Sequence, residues 1–73
     1  MDSDIKFWSV VDFLTNNSDA ASYIDIHERK MLSDSISLAR RANKLTGIPT
    51  ETFQFVMLLA ETVKERMKRK KKN

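Results

Sequence analysis

The sequence predicts an all-α protein, a small bundle of three to four helices in which the last helix is the longest. Two observations support this class. The 73 residues include one glycine and one proline, whereas a sheet protein of this size would need several turns, which recruit both residues. Apolar residues recur at three- and four-residue spacing, the period of an amphipathic helix. The length permits one domain, which we divide into a helical bundle (residues 1–67) and a basic C-terminal tail (residues 68–73).

The first predicted helix covers about residues 4–15. Its apolar face consists of Phe7, Val10, Val11 and Leu14. Ser3 is the expected N-cap, because its hydroxyl can accept a hydrogen bond from the first turn. Asn16 and Asn17 are the expected stop, because asparagine tolerates the left-handed conformation that ends many helices. Residues 18–24 then fit either a short helix capped by Ser18 or a structured loop.

The next helix begins with a recognisable capping pattern. Asp25 and Glu28 lie three residues apart, as do the N-cap and N3 residues of a capping box. Thr46-Gly47 is the expected end, since glycine readily adopts the left-handed C-cap conformation. The predicted core face holds Leu32, Ser35, Ile36, Ala39 and Ala42. The opposite face is mainly basic and holds Arg29, Lys30, Ser33, Asp34, Ser37, Arg40, Arg41 and Lys44.

The last helix follows a linker at Ile48-Pro49, and Thr50 is its expected cap. Its main apolar face consists of Thr52, Val56, Leu59, Ala60, Val63 and Met67. Phe55 and Leu58 lie off that face, so the middle of the helix is apolar on nearly every side. Such a helix is either central to its bundle or has a second partner. Phe55 and Leu58 are therefore the predicted protein-interaction residues, and we expect the helix to continue to about Arg69.

The positive charge is concentrated at the C-terminal end. Residues 64–73 carry seven bases and one acid, a balance of +6, whereas the first 63 residues carry six bases and nine acids, a balance of −3. Clustered bases bind nucleic acid by releasing the cations condensed on its phosphates. The predicted nucleic-acid-binding residues are Lys64, Arg66, Lys68, Arg69, Lys70, Lys71 and Lys72, assisted by Arg40, Arg41 and Lys44.

Two other interpretations of the basic run remain open. An anionic membrane surface would also attract it, and bases at a helix C-terminus stabilise the helix and keep a small protein soluble. The longest nearly apolar run, residues 53–60, is too short to cross a bilayer, which requires ~20 residues. The N-terminus lacks a signal-peptide pattern, and there is no cysteine. We therefore expect a cytoplasmic protein without a transmembrane segment or disulfides.

The sequence offers no constellation of residues for catalysis. His27 is the only histidine, and it cannot converge with Asp25 and Glu28 on one ion, because residues one or two apart on a helix do not face each other. With a single glycine, no phosphate-binding loop of the usual kind can form. We expect a protein that is not an enzyme, with no cofactor, no metal and no small-molecule substrate.

Several features together suggest a family. They are the four-segment helical plan, a cysteine-free composition rich in Lys, Asn, Ser and Asp, the junction Thr46-Gly47-Ile48-Pro49-Thr50 and the basic last helix. In these the chain resembles the small accessory proteins of T-even-like phages, and its layout is similar to the helical nucleic-acid-binding module of RecQ-type helicases. The resemblance implies binding to single-stranded or branched DNA beside a helicase or recombination machine, in an infected cell. The alternative is a protein-interaction or regulatory module that docks through the apolar last helix.

Overall fold

The computed structural model describes residues 2–43 and 47–71, with side chains for residues 4–42 and 47–69. The described residues form four α-helices and no strand: α1 Asp2–Asn16, α2 Ser18–Ser22, α3 Ile26–Asn43 and α4 Thr50–Lys71. The predicted all-α class is confirmed, and α4 is the longest helix with 22 residues. It continues two residues beyond its expected end near Arg69.

The last helix, α4, is central, because it packs against each of the other three described helices. Two contacts give its direction relative to α1. The Phe7 and Phe53 rings stack with their centroids 6.1 Å apart, and Lys64 Nζ lies 5.9 Å from the centroid of the Phe13 ring. Residue numbers therefore rise together along both helices, so α1 and α4 run parallel.

The third helix, α3, runs in the opposite direction to α4. Arg66, near the end of α4, pairs with Glu28 in the first turn of α3. The chain reverses at Gly47, whose φ of +90° is the left-handed conformation predicted there. The Gly47 N–H also donates to the Ala42 carbonyl at 3.1 Å. The start of α3 consequently lies beside the end of α4, and its end lies beside the start of α4.

The core lies between α4 and the helices around it. Its buried apolar residues are Phe7, Val11, Leu14, Ala20, Ile24, Leu32, Ala39, Val56, Leu59, Ala60 and Val63. The predicted apolar faces supply nine of these eleven, while Val10 and Ile36 are half-buried at the edge. The other two, Ala20 and Ile24, come from the segment that the sequence left open. Residues 18–22 of that segment form helix α2, which buries Ala20, and Ile24 is buried two residues after the helix ends.

Two of the predicted N-caps at the start of the chain are wrong. α1 begins at Asp2, so Ser3 lies within its first turn; an acidic residue favours the start of a helix, which extends it to Asp2. α2 is capped by Asn17 rather than Ser18, and the Asn17 side chain accepts a hydrogen bond from the Ala20 N–H at 3.1 Å. Asn17 is extended, with φ −88° and ψ 109°, as an N-cap requires, so the expected left-handed conformation is also wrong.

The predicted cap of α4 is displaced by one residue. The Phe53 N–H donates to the Pro49 carbonyl at 3.0 Å, which makes Thr50 the first helical residue instead of the cap. Proline is well tolerated here, because the N–H groups at a helix start have no intrahelical partner and a missing one costs little. Thr46 and Lys44 lie outside the described residues.

Candidate nucleic-acid interface

The start of α3 is closed by the predicted capping box. The Asp25 N–H donates to Glu28 Oε1 at 3.1 Å, and the Glu28 N–H donates to Asp25 Oδ1 at 2.8 Å. Both bonds satisfy N–H groups that a helix start leaves unpaired. They also hold the Glu28 carboxylate in place where the end of α4 passes.

Arg66 uses that carboxylate to join three segments of the chain. Its Nη1 donates to Glu28 Oε1 at 2.7 Å and its Nη2 donates to Oε2 at 2.9 Å. Nη1 also donates to the Tyr23 carbonyl at 2.8 Å, just after α2. A two-pronged pair of this kind is the strongest form of arginine–carboxylate contact. The hydrogen bond from Arg66 lowers the pKa of Glu28, and the same bond raises the pKa of Arg66.

This contact distinguishes Arg66 from the other predicted phosphate ligands. Two of its guanidinium nitrogens are already hydrogen-bonded within the protein. A phosphate would have to compete with a carboxylate that the capping box holds in place. We therefore define the basic end of the molecule without Arg66, whose contact with nucleic acid stays a prediction.

The basic end consists of Lys64, Lys68 and Arg69 together with the three lysines that follow in the sequence, Lys70, Lys71 and Lys72. Lys64, Lys68 and Arg69 are exposed. Their partners within α4 are distant: Lys64 lies 3.9 Å from Glu61, and Arg69 lies 3.9 Å from Glu65. Such exposed pairs are weak, so they leave these bases available to phosphates. The side chains of residues 70–72 lie outside the described part.

The antiparallel return of α3 adds two bases at the same end. Arg29 and Lys30 lie in the first turns of α3, one and two residues after Glu28, and both are exposed. Arg29 Nη2 donates to the Ala21 carbonyl at 3.2 Å. Both residues lie on the predicted basic face, but neither is among the predicted binding residues. A capping box at 25–28 followed by a helical hairpin is the signal that indicates them.

Arg40 and Arg41 are exposed but lie toward the opposite end of the molecule. Arg40 is twelve residues after Glu28, which corresponds to about 18 Å along a helix. Arg66 is level with Glu28, and Arg69 lies farther from Arg40 than Arg66 does. Arg40 and Arg69 are therefore about 20 Å apart along the bundle axis. The structure therefore does not join Arg40 and Arg41 to the basic end. Lys44 lies outside the described residues.

The predicted interaction residues, Phe55 and Leu58, lie on the outer face of the molecule where α3 and α4 are side by side. Leu58 is 68% exposed, whereas Phe55 is half-buried and packs against the core. Residues 55, 58, 62 and 66 follow one another at spacings of three or four, so helical periodicity places Phe55 and Leu58 on the same side of α4 as Arg66. The same spacing places Met31 and Leu38, which are 52% and 45% exposed, on the Glu28 side of α3. Since Glu28 and Arg66 meet, these four residues share one face, which we call the apolar flank.

No group of three or more histidine, aspartate or glutamate side chains among the described residues is arranged to hold a metal ion. No described helix has the length and apolar character needed to cross a membrane. No family model matches the chain, and no curated protein and no solved structure matches it. The likeness to phage accessory proteins and to the RecQ-type module therefore stays a prediction.

Proposed function

We propose that this protein is a non-enzymatic accessory protein that binds nucleic acid electrostatically through the basic end of α4. The observation that supports this proposal is that α4 continues as a helix past Arg66, its contact with α3, to Lys71. This segment carries exposed Lys68 and Arg69, and Lys70, Lys71 and Lys72 follow Arg69 in the sequence. A cluster of solvated bases on a projecting helix can approach a phosphate backbone without obstruction by the bundle.

The binding is independent of base sequence. Phosphate contacts position a protein on nucleic acid but carry no sequence information, and lysines on a helix end provide only such contacts. Arg29 and Lys30 extend the same surface. Arg40, Arg41 and Lys44 assist when the nucleic acid extends about 20 Å farther along the bundle. Single-stranded or branched DNA, beside a helicase or recombination machine, is the ligand that the family resemblance implies.

Anisotropy titrations of labelled single-stranded, duplex and forked oligonucleotides at several salt concentrations test this proposal. Four or five phosphate contacts predict that log K falls against log salt with a slope of about −3 to −4.5, depending on strandedness. A chain ending at Met67 keeps the Arg66–Glu28 pair, so it should retain its helical circular dichroism and lose most of its affinity. Unchanged affinity and an unchanged slope for this shortened chain would contradict the proposal.

The second candidate function is a protein-interaction or regulatory module. It is favoured by the 68% exposure of Leu58 within the apolar flank, because exposed apolar groups that cluster usually mark an interaction site. The basic end would then steer association with a larger protein or keep the chain soluble. Leu58→Gln should abolish binding to such a partner while the thermal unfolding of the domain stays unchanged. Phe55→Gln is less informative, because Phe55 packs against the core.

A further inference from the structure

Six residues form a stripe along the outer side of α4. They alternate at spacings of four and three residues, as the contact positions of a coiled coil do. The stripe consists of Glu51, Phe55, Leu58, Thr62, Glu65 and Arg69. Phe55 and Thr62 are half-buried, and the other four are exposed. Nothing within the described chain covers Leu58, the most exposed apolar residue of α4.

The residues of the α4 stripe are complementary to the same residues of a second copy that runs in the opposite direction. If a second copy of α4 runs antiparallel about a two-fold axis at residue 60, Glu51 faces Arg69 and Leu58 faces Thr62. Phe55 then faces Glu65, whose methylene groups can contact the ring while its carboxylate stays in water. Opposite charges thus meet at both ends, and the two Leu58 side chains lie close to the two-fold axis between them. A two-fold interface requires this self-complementarity, because one surface must bind itself.

The structure also contains a groove on half of this stripe. It is a shallow, open depression on the surface of this one helix, lined by Glu61, Thr62, Glu65, Arg66 and Arg69. Three of these lining residues belong to the stripe. In the antiparallel pairing they face the Leu58, Phe55 and Glu51 of the second copy. The larger apolar side chains of each copy therefore meet the groove of the other.

We propose that the α4 stripe is a homodimer interface in which two copies of this chain pack with their α4 helices antiparallel. Glu51 and Arg69 set the register, because parallel pairing would place like charges opposite each other, which is destabilising. Leu58 supplies the central apolar contact, and Met31 and Leu38 border it. The two Arg69 residues would then be about 27 Å apart along the dimer, so each end of the dimer would present one basic end.

Sedimentation equilibrium of the full chain over a concentration series tests this proposal. The mean mass should rise toward twice 8.5 kDa as the concentration increases. Leu58→Gln should raise the dimer dissociation constant about tenfold or more, equivalent to at least ~1.4 kcal/mol. Ile5→Gln is the matched control, since Ile5 is 66% exposed on α1, away from the stripe, and it should leave the dissociation constant unchanged.

A charge exchange tests the register. Glu51→Arg should weaken the dimer, and adding Arg69→Glu should restore it, because the opposed pair is then rebuilt with reversed signs. A chain that stays monomeric at every concentration would overturn the proposal and leave the apolar flank to a different protein. Equal effects of Leu58→Gln and Ile5→Gln would also overturn it. Failure of the charge exchange to restore the dimer would overturn the antiparallel register.

Discussion

Two regions of this molecule, the end of α4 and the end of α3, both contain adjacent bases but differ in their surroundings. The described bases of the basic end lie in the last turns of α4, at the same end of the molecule as Arg29 and Lys30. Arg40 and Arg41 lie about 20 Å away along the axis, on a helix that runs back toward the start of α4. The difference shows that the direction of the supporting helix, rather than the number of bases, determines which charges lie at the same end of the molecule.

The largest expected effect on binding comes from neutralising the basic end. Changing all five bases of residues 68–72 to glutamine removes most of the four or five phosphate contacts, and the salt slope should become shallower by about 2 to 3 units. Circular dichroism should change little, because Lys68 and Arg69 are exposed and glutamine is a good helix former. A slope that stays as steep as that of the unmodified chain would show that the polyanion is held elsewhere.

A smaller effect is expected from Arg29→Gln combined with Lys30→Gln. If both bases contact phosphates beside the end of α4, the slope should lose about 1.4 to 1.8 units. The change is measured in the same anisotropy assay with a short oligonucleotide. If the slope does not change, Arg29 and Lys30 are not part of the binding surface, which is then limited to α4.

Arg40→Gln combined with Arg41→Gln removes the same number of charges and is the matched comparison. With a short oligonucleotide held at the basic end, the slope should stay unchanged, because these arginines lie about 20 Å away. With a longer oligonucleotide that reaches Arg40 and Arg41, the salt slope should become shallower by less than about 1.8 units. A larger effect here than from the Arg29 and Lys30 changes would reverse the assignment of the two regions.

Arg66 should have the smallest effect on binding and a clear effect on stability. Arg66→Gln breaks the contact with Glu28 and Tyr23, so the melting temperature should fall while the salt slope stays nearly constant. Lys68→Gln is the control, since it should reduce the slope by about 0.7 to 0.9 units without lowering the melting temperature. A fall in slope equal to that of Lys68→Gln would place Arg66 among the phosphate ligands.

The same ion pair predicts how stability depends on pH. The Arg66 hydrogen bond lowers the pKa of Glu28 below its ordinary value of about 4.5 in the folded protein. The contribution of Glu28 to stability is therefore complete above about pH 4.5 and is lost as the pH falls through the lowered value. Glu28→Gln should be less stable than the unmodified chain at neutral pH, and the difference should shrink in acid. A constant difference would contradict the pairing.

Local patterns predicted most of the fold. The capping box at 25–28 and the left-handed Gly47 depend on a few adjacent residues, so the sequence shows them directly. Helical spacing likewise identifies which face of each helix is buried. The start of α1 and the cap of α4 were displaced by one or two residues, because several neighbouring residues are suited to a helix start.

The arrangement of the candidate site was not predictable in the same way. Arg66 and Glu28 are 38 residues apart, and helical periodicity indicates which face each occupies but not which helix it meets. Whether the bases of α3 join those of α4 depends on the relative direction of the two helices. Met31 and Leu38 become part of the apolar flank for the same reason. The charge excess alone predicts a class of ligand, and the packing of α3 against α4 decides which bases lie at the same end of the molecule.

The most direct test of the basic end is an NMR titration of the isotope-labelled chain with a short single-stranded oligonucleotide. Amide shifts should change at residues 64–72 and at Arg29 and Lys30, and stay constant at Arg40 and Arg41. The changes should disappear at high salt, because electrostatic binding is lost there. Changes concentrated at Arg40 and Arg41, or none at residues 64–72, would contradict the account.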